Sequence, residues 1–239
     1  MIFIVQRRTF TDFLIIVTLN YWPLNPVCPF PLPVFAANYK FERINKDDVA
    51  LLVVDHQIGL FQLVRNYEPK QYRNSILAHA AIGKVFNLPT VLTTSAETEI
   101  VEMHLNAPFI KRNGEVDAWD NSDFCAAVRA TGGITTDVCT TLLALALVRE
   151  GYIVFANAEA SGAHSQRITD DANDRMRAAG VHVLSSFAVV CDLMRDWKDT
   201  PGSKELLPYF DKYLAVYGYL ARGHAAAVDR GTIIPGESE

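Results

Sequence analysis

The chain has 239 residues, half of them hydrophobic, and a formal net charge of -5. This length predicts one α/β domain with a sizeable core plus some additional sequence, because domains average about 150 residues. A nucleic-acid surface needs a basic face that neutralises phosphates, and the sequence contains no run of Lys or Arg. The composition therefore argues against nucleic acid as a partner.

Four cysteines, Cys28, Cys125, Cys139 and Cys191, are widely spaced and form no C-x-x-C pair. This spacing predicts neither a disulfide framework nor a zinc site, and it favours a reduced, cytoplasmic environment. Cys125 and Cys191 fall on apolar faces of predicted helices. We therefore expect both to be buried structural thiols.

Residues 1–38 differ in composition from the rest of the chain, and we predict that this extension lies outside the core. Two arginines, a short apolar run at 13–19 and a proline-rich stretch ending near Ala37 loosely match a secretory signal. The run is too short to span a bilayer, and Asp12 precedes it. A dispensable extension or a mis-called start is favoured over a secreted or membrane-associated form.

Strands and helices alternate through residues 39–200, the predicted domain. The apolar run 49–54 ends abruptly at Asp55, which is typical of a strand buried on both faces. Pro69 opens a helix that extends to Phe86. Further strands are predicted at 89–94, 109–112, 152–156 and 181–184, and further helices at 123–130, 140–150, 169–179 and 187–197. The order predicts a three-layer α-β-α fold with a doubly wound, mostly parallel sheet, whose ligands bind beyond the carboxyl ends of the strands.

The alternation is interrupted before residue 134. A doubly wound sheet needs a buried strand there, yet the chain runs from the predicted helix through Thr131-Gly-Gly133 directly into Ile134. Either one central strand is missing, or residues of the preceding helix supply it. A missing interior strand would leave neighbouring backbone groups unpaired in the core.

The tail, residues 201–239, carries more aromatic side chains than a solvated segment would. The aromatic residues are Tyr209, Phe210, Tyr213, Tyr217 and Tyr219. We expect the tail to pack on the core or on another subunit, which favours a homo-oligomer.

The segment Gly132-Gly-Ile-Thr-Thr-Asp-Val-Cys139 places a thiol in or near the first turn of an apolar helix. Free N–H groups and the helix dipole at such a position lower the pKa of a thiol and can hold an oxyanion. A small buried cysteine is the alternative, because buried thiols are common in cores.

Four motifs, in this order, resemble the isochorismatase-like cysteine hydrolases, especially their YcaC-type branch: Val53-Val-Asp-His-Gln57, Ala107-Pro-Phe-Ile-Lys-Arg112, Asp117-Ala-Trp-Asp-Asn121 and Gly133-Ile-Thr-Thr-Asp-Val-Cys139. The resemblance covers about residues 42–200. It implies that Cys139 is the nucleophile, that Asp55 is its base, and that Arg112 is the site cation, with Lys111 as the alternative.

The resemblance also implies an oxyanion hole from the amides of Thr135 and Cys139, next to a cis peptide at Ile134-Thr135. Three residues are candidates for substrate binding or for closing loops: Gln57, Trp119 and Asn121. The additional Asp/His set of the metal-dependent nicotinamidases is not reproduced after Asp55. We therefore expect no metal, and the chemistry requires no redox cofactor.

These features predict a cysteine-dependent hydrolase that acts on a small amide-like or related substrate at a non-peptide C–N bond. An acyl-enzyme intermediate would form and then be hydrolysed. The alternative is a catalytically impaired, homo-oligomeric member of the family that keeps the fold without turnover. The apparent absence of a strand before Cys139 is what motivates it.

Overall fold

The computed structural model describes residues 2–7, 42–54, 61–93, 98–107, 109–110 and 135–232. Six strands form one sheet in the order β4-β3-β2-β1-β5-β6. Their bounds are β1 (Ile2–Arg7), β2 (Val49–Val53), β3 (Thr90–Thr93), β4 (Phe109–Ile110), β5 (Tyr152–Asn157) and β6 (His182–Leu184). Strands β2, β3 and β4 pair in parallel, as do β5 and β6. β1 runs antiparallel to both of its neighbours.

Seven α-helices accompany the sheet within the described ranges. They are α1 (Pro69–Val85), α2 (Thr98–Met103), α3 (Thr141–Arg149), α4 (Gln166–Ala178), α5 (Ser186–Met194), α6 (Ser203–Tyr213) and α7 (Ala215–Asp229). Local chemistry explains where several of them begin. Glu68 accepts a hydrogen bond from the Gln71 amide at 2.9 Å ahead of Pro69, and Ser185 accepts one from the Ala188 amide at 3.2 Å.

Each face of the sheet carries its own hydrophobic core. On one face, Ile4, Leu51, Val53 and Phe155 pack with side chains of α1, α5 and α6. On the other face, Val5, Leu52, Val54, Val154 and Ala156 pack with α3 and α4. Successive strand residues thus serve opposite cores, because side chains alternate along a strand. The predicted three-layer α-β-α fold is confirmed.

The N-terminal strand β1 occupies the interior position between β2 and β5. Ile4 pairs with Leu51 of β2 on one side and with Phe155 of β5 on the other. The expectation that residues 1–38 lie outside the core therefore does not hold for residues 2–7. Ile4 and Val5 are buried on opposite faces, as an interior strand requires. Residues 8–38 and the predicted helix 123–130 lie outside the described residues.

The tail forms two helices with different surroundings. α6 packs against α1 and buries Leu206, Tyr209, Phe210 and Tyr213 in the core. α7 leaves large apolar side chains in solvent, among them Val216, Tyr219 and Leu220. In the part of the chain that is described, none of the helices has the length and apolar character needed to cross a membrane.

Two helical glycines allow a matched test of packing. A Cβ atom on Gly83 of α1 would lie 2.6 Å from both Leu51 Cδ2 and Thr90 Oγ1, whereas one on Gly223 of α7 would meet no described atom within 4 Å. We expect Gly83→Ala to lower the free energy of unfolding by about 1–3 kcal/mol through overpacking. Gly223→Ala should raise it by up to about 1 kcal/mol through helix propensity. Urea unfolding of both variants measures the change in the free energy of unfolding. A change of the same sign in both would contradict the close packing at Gly83.

Candidate functional site

Cys139 lies in a π-helical turn, Thr136–Thr140, that leads directly into α3. The Thr140 amide donates to the Thr135 carbonyl at 2.9 Å, and the Thr141 amide donates to the Thr136 carbonyl. Both bonds span five residues, which widens the turn relative to an α-helix. Cys139 is not part of a disulfide bond, and its side chain is partly exposed. The sequence prediction of a thiol at the start of this helix is therefore correct in position.

A cluster of buried hydroxyl groups lies beneath this turn. The Ser161 Oγ atom is 2.7 Å from Thr136 Oγ1 and 3.1 Å from Thr140 Oγ1. Thr141 Oγ1 donates to the Thr136 carbonyl at 2.6 Å. All four side chains are buried, so their hydrogen bonds form away from water, where a lost partner is costly.

The segment 161–163 also connects the turn to another part of the chain. The Thr136 amide donates to the Gly162 carbonyl at 3.2 Å, and the Arg65 amide donates to the Ala163 carbonyl at 2.9 Å. The Ala163 amide donates to Asn66 Oδ1 at 2.9 Å. The turn that holds Cys139 and the segment that follows residues 55–60 are therefore attached to the same short stretch of backbone.

A second cluster of buried polar side chains lies at the carboxyl end of β5. The Asn157 amide Nδ2 is 2.6 Å from His79 Nδ1 and 2.9 Å from Ser186 Oγ, and the Ser186 amide donates to Glu159 Oε2 at 3.0 Å. Because Asn157 donates to Nδ1, the neutral imidazole carries its proton on Nε2, which is buried without a partner among the described residues. Burial lowers the pKa of His79 well below its usual value.

Of the predicted site residues, the structure describes Thr135 and Cys139. Thr135 is buried, and its carbonyl accepts from the Val138 and Thr140 amides. The others, Asp55, Gln57, Lys111, Arg112, Trp119 and Asn121, lie outside the described residues, as does the Ile134 side of the predicted cis peptide. The assignment of roles to these residues stays a prediction.

Cys125 and Cys191 are predicted to be buried structural thiols, and the structure describes Cys191. Cys191 is on α5, is partly buried and is free, and burial raises the pKa of its thiol. Cys125 lies outside the described residues. Cys191 thus offers an internal comparison for the reactivity of Cys139.

Ser161 and its two threonine partners carry no sequence motif of their own that points to the site. Thr136 and Thr140 flank the thiol in the motif, but their hydroxyls could equally have faced solvent. Ser161 is more than 20 residues away in sequence, and the structure shows it just beyond the carboxyl end of β5. The position of Ser161-Gly162 after a buried strand was the available indication, since ligand sites in such sheets follow strand ends.

The fold and the position of Cys139 define a three-layer α/β protein with a candidate thiol site at the start of a helix. No family model matches the chain. It is 41% identical over 174 residues to the probable hydrolase YcaC of Escherichia coli, covering 66% of this chain and 84% of that protein.

Two solved structures resemble the whole domain. YcaC from Pseudomonas aeruginosa, described with hexane-2,5-diol and covalent acrylamide, has a TM-score of 0.72 and 37% identity over 78% of this chain and 99% of its own. The Escherichia coli YcaC product, described as an octameric hydrolase of unknown specificity, has a TM-score of 0.71 and 37% identity over 78% and 98%. The chain belongs to the isochorismatase-like hydrolases, in their YcaC-type branch.

Proposed function

We propose that the chain is a cysteine-dependent hydrolase in which Cys139 attacks a carbonyl or related carbon of a small amide-like substrate. The observation that carries the proposal is the position of the Cys139 thiol. It is partly exposed at the entry to α3, and buried hydrogen bonds on both sides hold its turn. A thiol near a helix N-terminus is a stronger nucleophile at neutral pH because its thiolate is stabilised there.

In the proposed mechanism, Asp55 takes the proton of the thiol as Sγ bonds to the substrate carbon. The amides of Thr135 and Cys139 hold the oxyanion, and Arg112, or Lys111, supplies positive charge. The C–N bond breaks, the amine leaves with the proton from Asp55, and an acyl-enzyme remains. Asp55 then takes a proton from water as the water attacks the thioester. The C–S bond breaks, Asp55 returns the proton to Sγ, and the acid product leaves.

The acrylamide in the Pseudomonas aeruginosa relative supports a nucleophilic site in this branch. Acrylamide is an electrophile to which a thiolate adds through its β-carbon. A covalent adduct in that relative therefore fits a site that contains a reactive nucleophile. For this chain, Cys139 in the matching motif is the proposed counterpart.

The test is labelling of the full chain with dilute iodoacetamide at neutral pH, followed by intact mass and peptide mapping. We expect Cys139 to react at least about tenfold faster than Cys191, because one pKa unit between two thiols changes the thiolate fraction about tenfold below both pKa values. Cys139→Ser should remove the fast phase and should abolish turnover of the small amides that the unaltered chain hydrolyses. Slow labelling of Cys139, or equal labelling of all cysteines, would contradict the proposal.

A second candidate function is a family member that keeps the fold and the oligomer without turnover. It is favoured by one observation: β1 runs antiparallel in an interior position of an otherwise parallel sheet. Hydrolysis of a small amide that disappears in Cys139→Ser would dismiss this candidate.

We also propose that the chain forms a homo-oligomer and acts on its small-molecule substrate in the cytoplasm. The octameric state of the Escherichia coli relative and the exposed apolar side chains of α7 support self-association. Neither Cys139 nor Cys191 is part of a disulfide bond, which fits a reducing compartment.

A further inference from the structure

We propose that Ser161 is a positioning residue for Cys139. The inference rests on the proposed function, because it assigns to Ser161 the task of orienting the nucleophile rather than of contacting the substrate. The hydroxyl of Ser161 reaches Thr136 and Thr140, which begin and end the turn that contains Cys139. A single buried side chain thus connects both ends of that turn.

The chemistry of the serine hydroxyl suits this connection. A hydroxyl has one donor and two acceptor lone pairs, so it can donate to one threonine and accept from the other. Thr136 and Thr140 are fully buried and Ser161 is 1% exposed, so water cannot replace a missing partner easily. Because Thr140 directly follows Cys139, a change in the Ser161 contact is transmitted to the thiol through one peptide unit.

The main chain next to Ser161 holds the same turn. The Gly162 carbonyl accepts from the Thr136 amide at 3.2 Å, so Thr136 is bound to this segment through both its side chain and its backbone. The Gly162 backbone is also close to a neighbour. A Cβ atom at this position would lie 2.5 Å from Val64 Cγ1, which leaves room only for glycine unless Val64 moves.

The segment is itself fixed from the opposite side. Ala163 forms one hydrogen bond with the Arg65 amide and another with the Asn66 side chain, both at 2.9 Å. Residues 64–66 continue from the segment 55–60, which contains the proposed base. Ser161 therefore belongs to a stretch that attaches the thiol turn to residues 65 and 66, and this attachment limits how far the turn can move.

The decisive variant is Ser161→Ala, which removes the hydroxyl and leaves the backbone contacts in place. We expect iodoacetamide to alkylate Cys139 at least fivefold more slowly in this variant at pH 7, with the midpoint of the pH–rate profile moved upward. With a small amide substrate, kcat should fall while KM changes little. Ser161→Thr, which keeps a hydroxyl, should recover most of the rate.

Ser186→Ala is the matched control. Ser186 is also buried at 1% exposure, and its hydroxyl bonds Asn157 in the other polar group. Its loss should lower stability comparably in urea unfolding but leave the alkylation rate and pH profile of Cys139 unchanged. If Ser161→Ala does not fold, Thr136→Val removes the same contact from the other side with a side chain of the same shape, and the same slowing is expected.

The outcomes separate this inference from the proposed function. Fast labelling of Cys139 in the unaltered chain together with the same rate and pH profile in Ser161→Ala would overturn the role of Ser161 alone. Slow labelling of Cys139 in the unaltered chain would overturn the proposed function and the positioning role with it. Equal slowing in Ser161→Ala and Ser186→Ala would also overturn the positioning role, because it would reflect a general loss of stability.

Discussion

Deletion of residues 1–7 is expected to abolish the cooperative fold of the chain. β1 is hydrogen-bonded on both sides, to β2 and to β5, so its removal exposes two interior strand edges. Each buried backbone group left without a partner costs about 1–3 kcal/mol. Loss of the buried side chains of Ile4 and Val5 removes about 1.5–3 kcal/mol each. These costs together reach the whole stability of a typical domain, about 5–15 kcal/mol.

Urea unfolding followed by circular dichroism compares the deletion with the full chain. We expect the deletion to show no cooperative transition or to precipitate. A point variant provides a milder test, because Ile4→Ala should lower the free energy of unfolding by about 2–5 kcal/mol. The matched control is Leu105→Ala, which truncates an apolar side chain that is 78% exposed and should change stability by less than about 0.5 kcal/mol.

An unchanged urea midpoint in the deletion would show that β1 is not part of the folded sheet. The two faces of β1 allow a second check. Ile4 packs in the core with α1, whereas Val5 packs in the core with α3. Because an interior strand is buried on both faces, Ile4→Ala and Val5→Ala should both destabilise the chain, whereas a β1 that lay outside the sheet would leave the stability of both variants nearly unchanged.

The alternation of helices and strands could be predicted from the sequence because its signals are local. Pro69 and Glu68 mark the start of α1, and the continuous apolar run at 49–54 marks β2, which ends at Val53 in the structure. These signals need only a few neighbouring residues, since capping and side-chain periodicity are properties of single elements. The three layers followed from the order of the elements.

The occupant of the central strand position could not be predicted in the same way. The sequence shows no apolar run before Ile134, and the structure shows that β1, from the other end of the chain, lies at the interior position between β2 and β5. Pairing between Ile4 and Phe155 depends on tertiary contact across some 150 residues and has no local signature. The apolar residues 2–5, followed by Arg7 and Arg8, instead predict an extension outside the core.

In the candidate site, too, some features follow from local sequence and others from tertiary contacts. The position of Cys139 before an apolar helix is a local feature, and the structure places it there. The contact between Ser161 and Thr136 requires the carboxyl end of β5 to meet the thiol turn, which only the assembled fold provides. Local sequence signals therefore indicate the position of Cys139, whereas its connection to Ser161 arises only in the folded chain.

Acidification below about pH 6.5 is expected to destabilise the chain through His79. Burial lowers the pKa of His79 well below 6.5 in the folded state, while in the unfolded chain it returns to about 6.5. As the pH falls through this window, the unfolded chain binds the proton and the folded chain does not. The free energy of unfolding contributed by His79 is therefore complete above pH 6.5 and decreases below it, by at most about 1.4 kcal/mol per pH unit.

The measurement is urea unfolding at several values between about pH 5 and 7, the range in which an unperturbed histidine titrates and carboxylates contribute less. In His79→Gln the side chain cannot titrate, so the pH dependence in this window should flatten, whatever the absolute stability of the variant. His104→Gln is the control. Its imidazole is partly buried and bonds the Ala80 carbonyl at 2.8 Å, and burial lowers its pKa as well. This variant therefore tests whether a partly buried histidine also contributes to the pH dependence of stability.

Because His79 is fully buried and His104 only partly, we expect His104→Gln to keep most of the slope that His79→Gln loses. If the free energy of unfolding depended equally on pH in the unaltered chain and in His79→Gln, the protonated imidazole would have found a hydrogen-bond partner for its second proton. Nε2 has no such partner among the described residues, and Nδ1 already accepts from Asn157, so a charged His79 would oppose a donor with a donor. That conflict is the physical reason for placing the loss of stability at His79 rather than at His104.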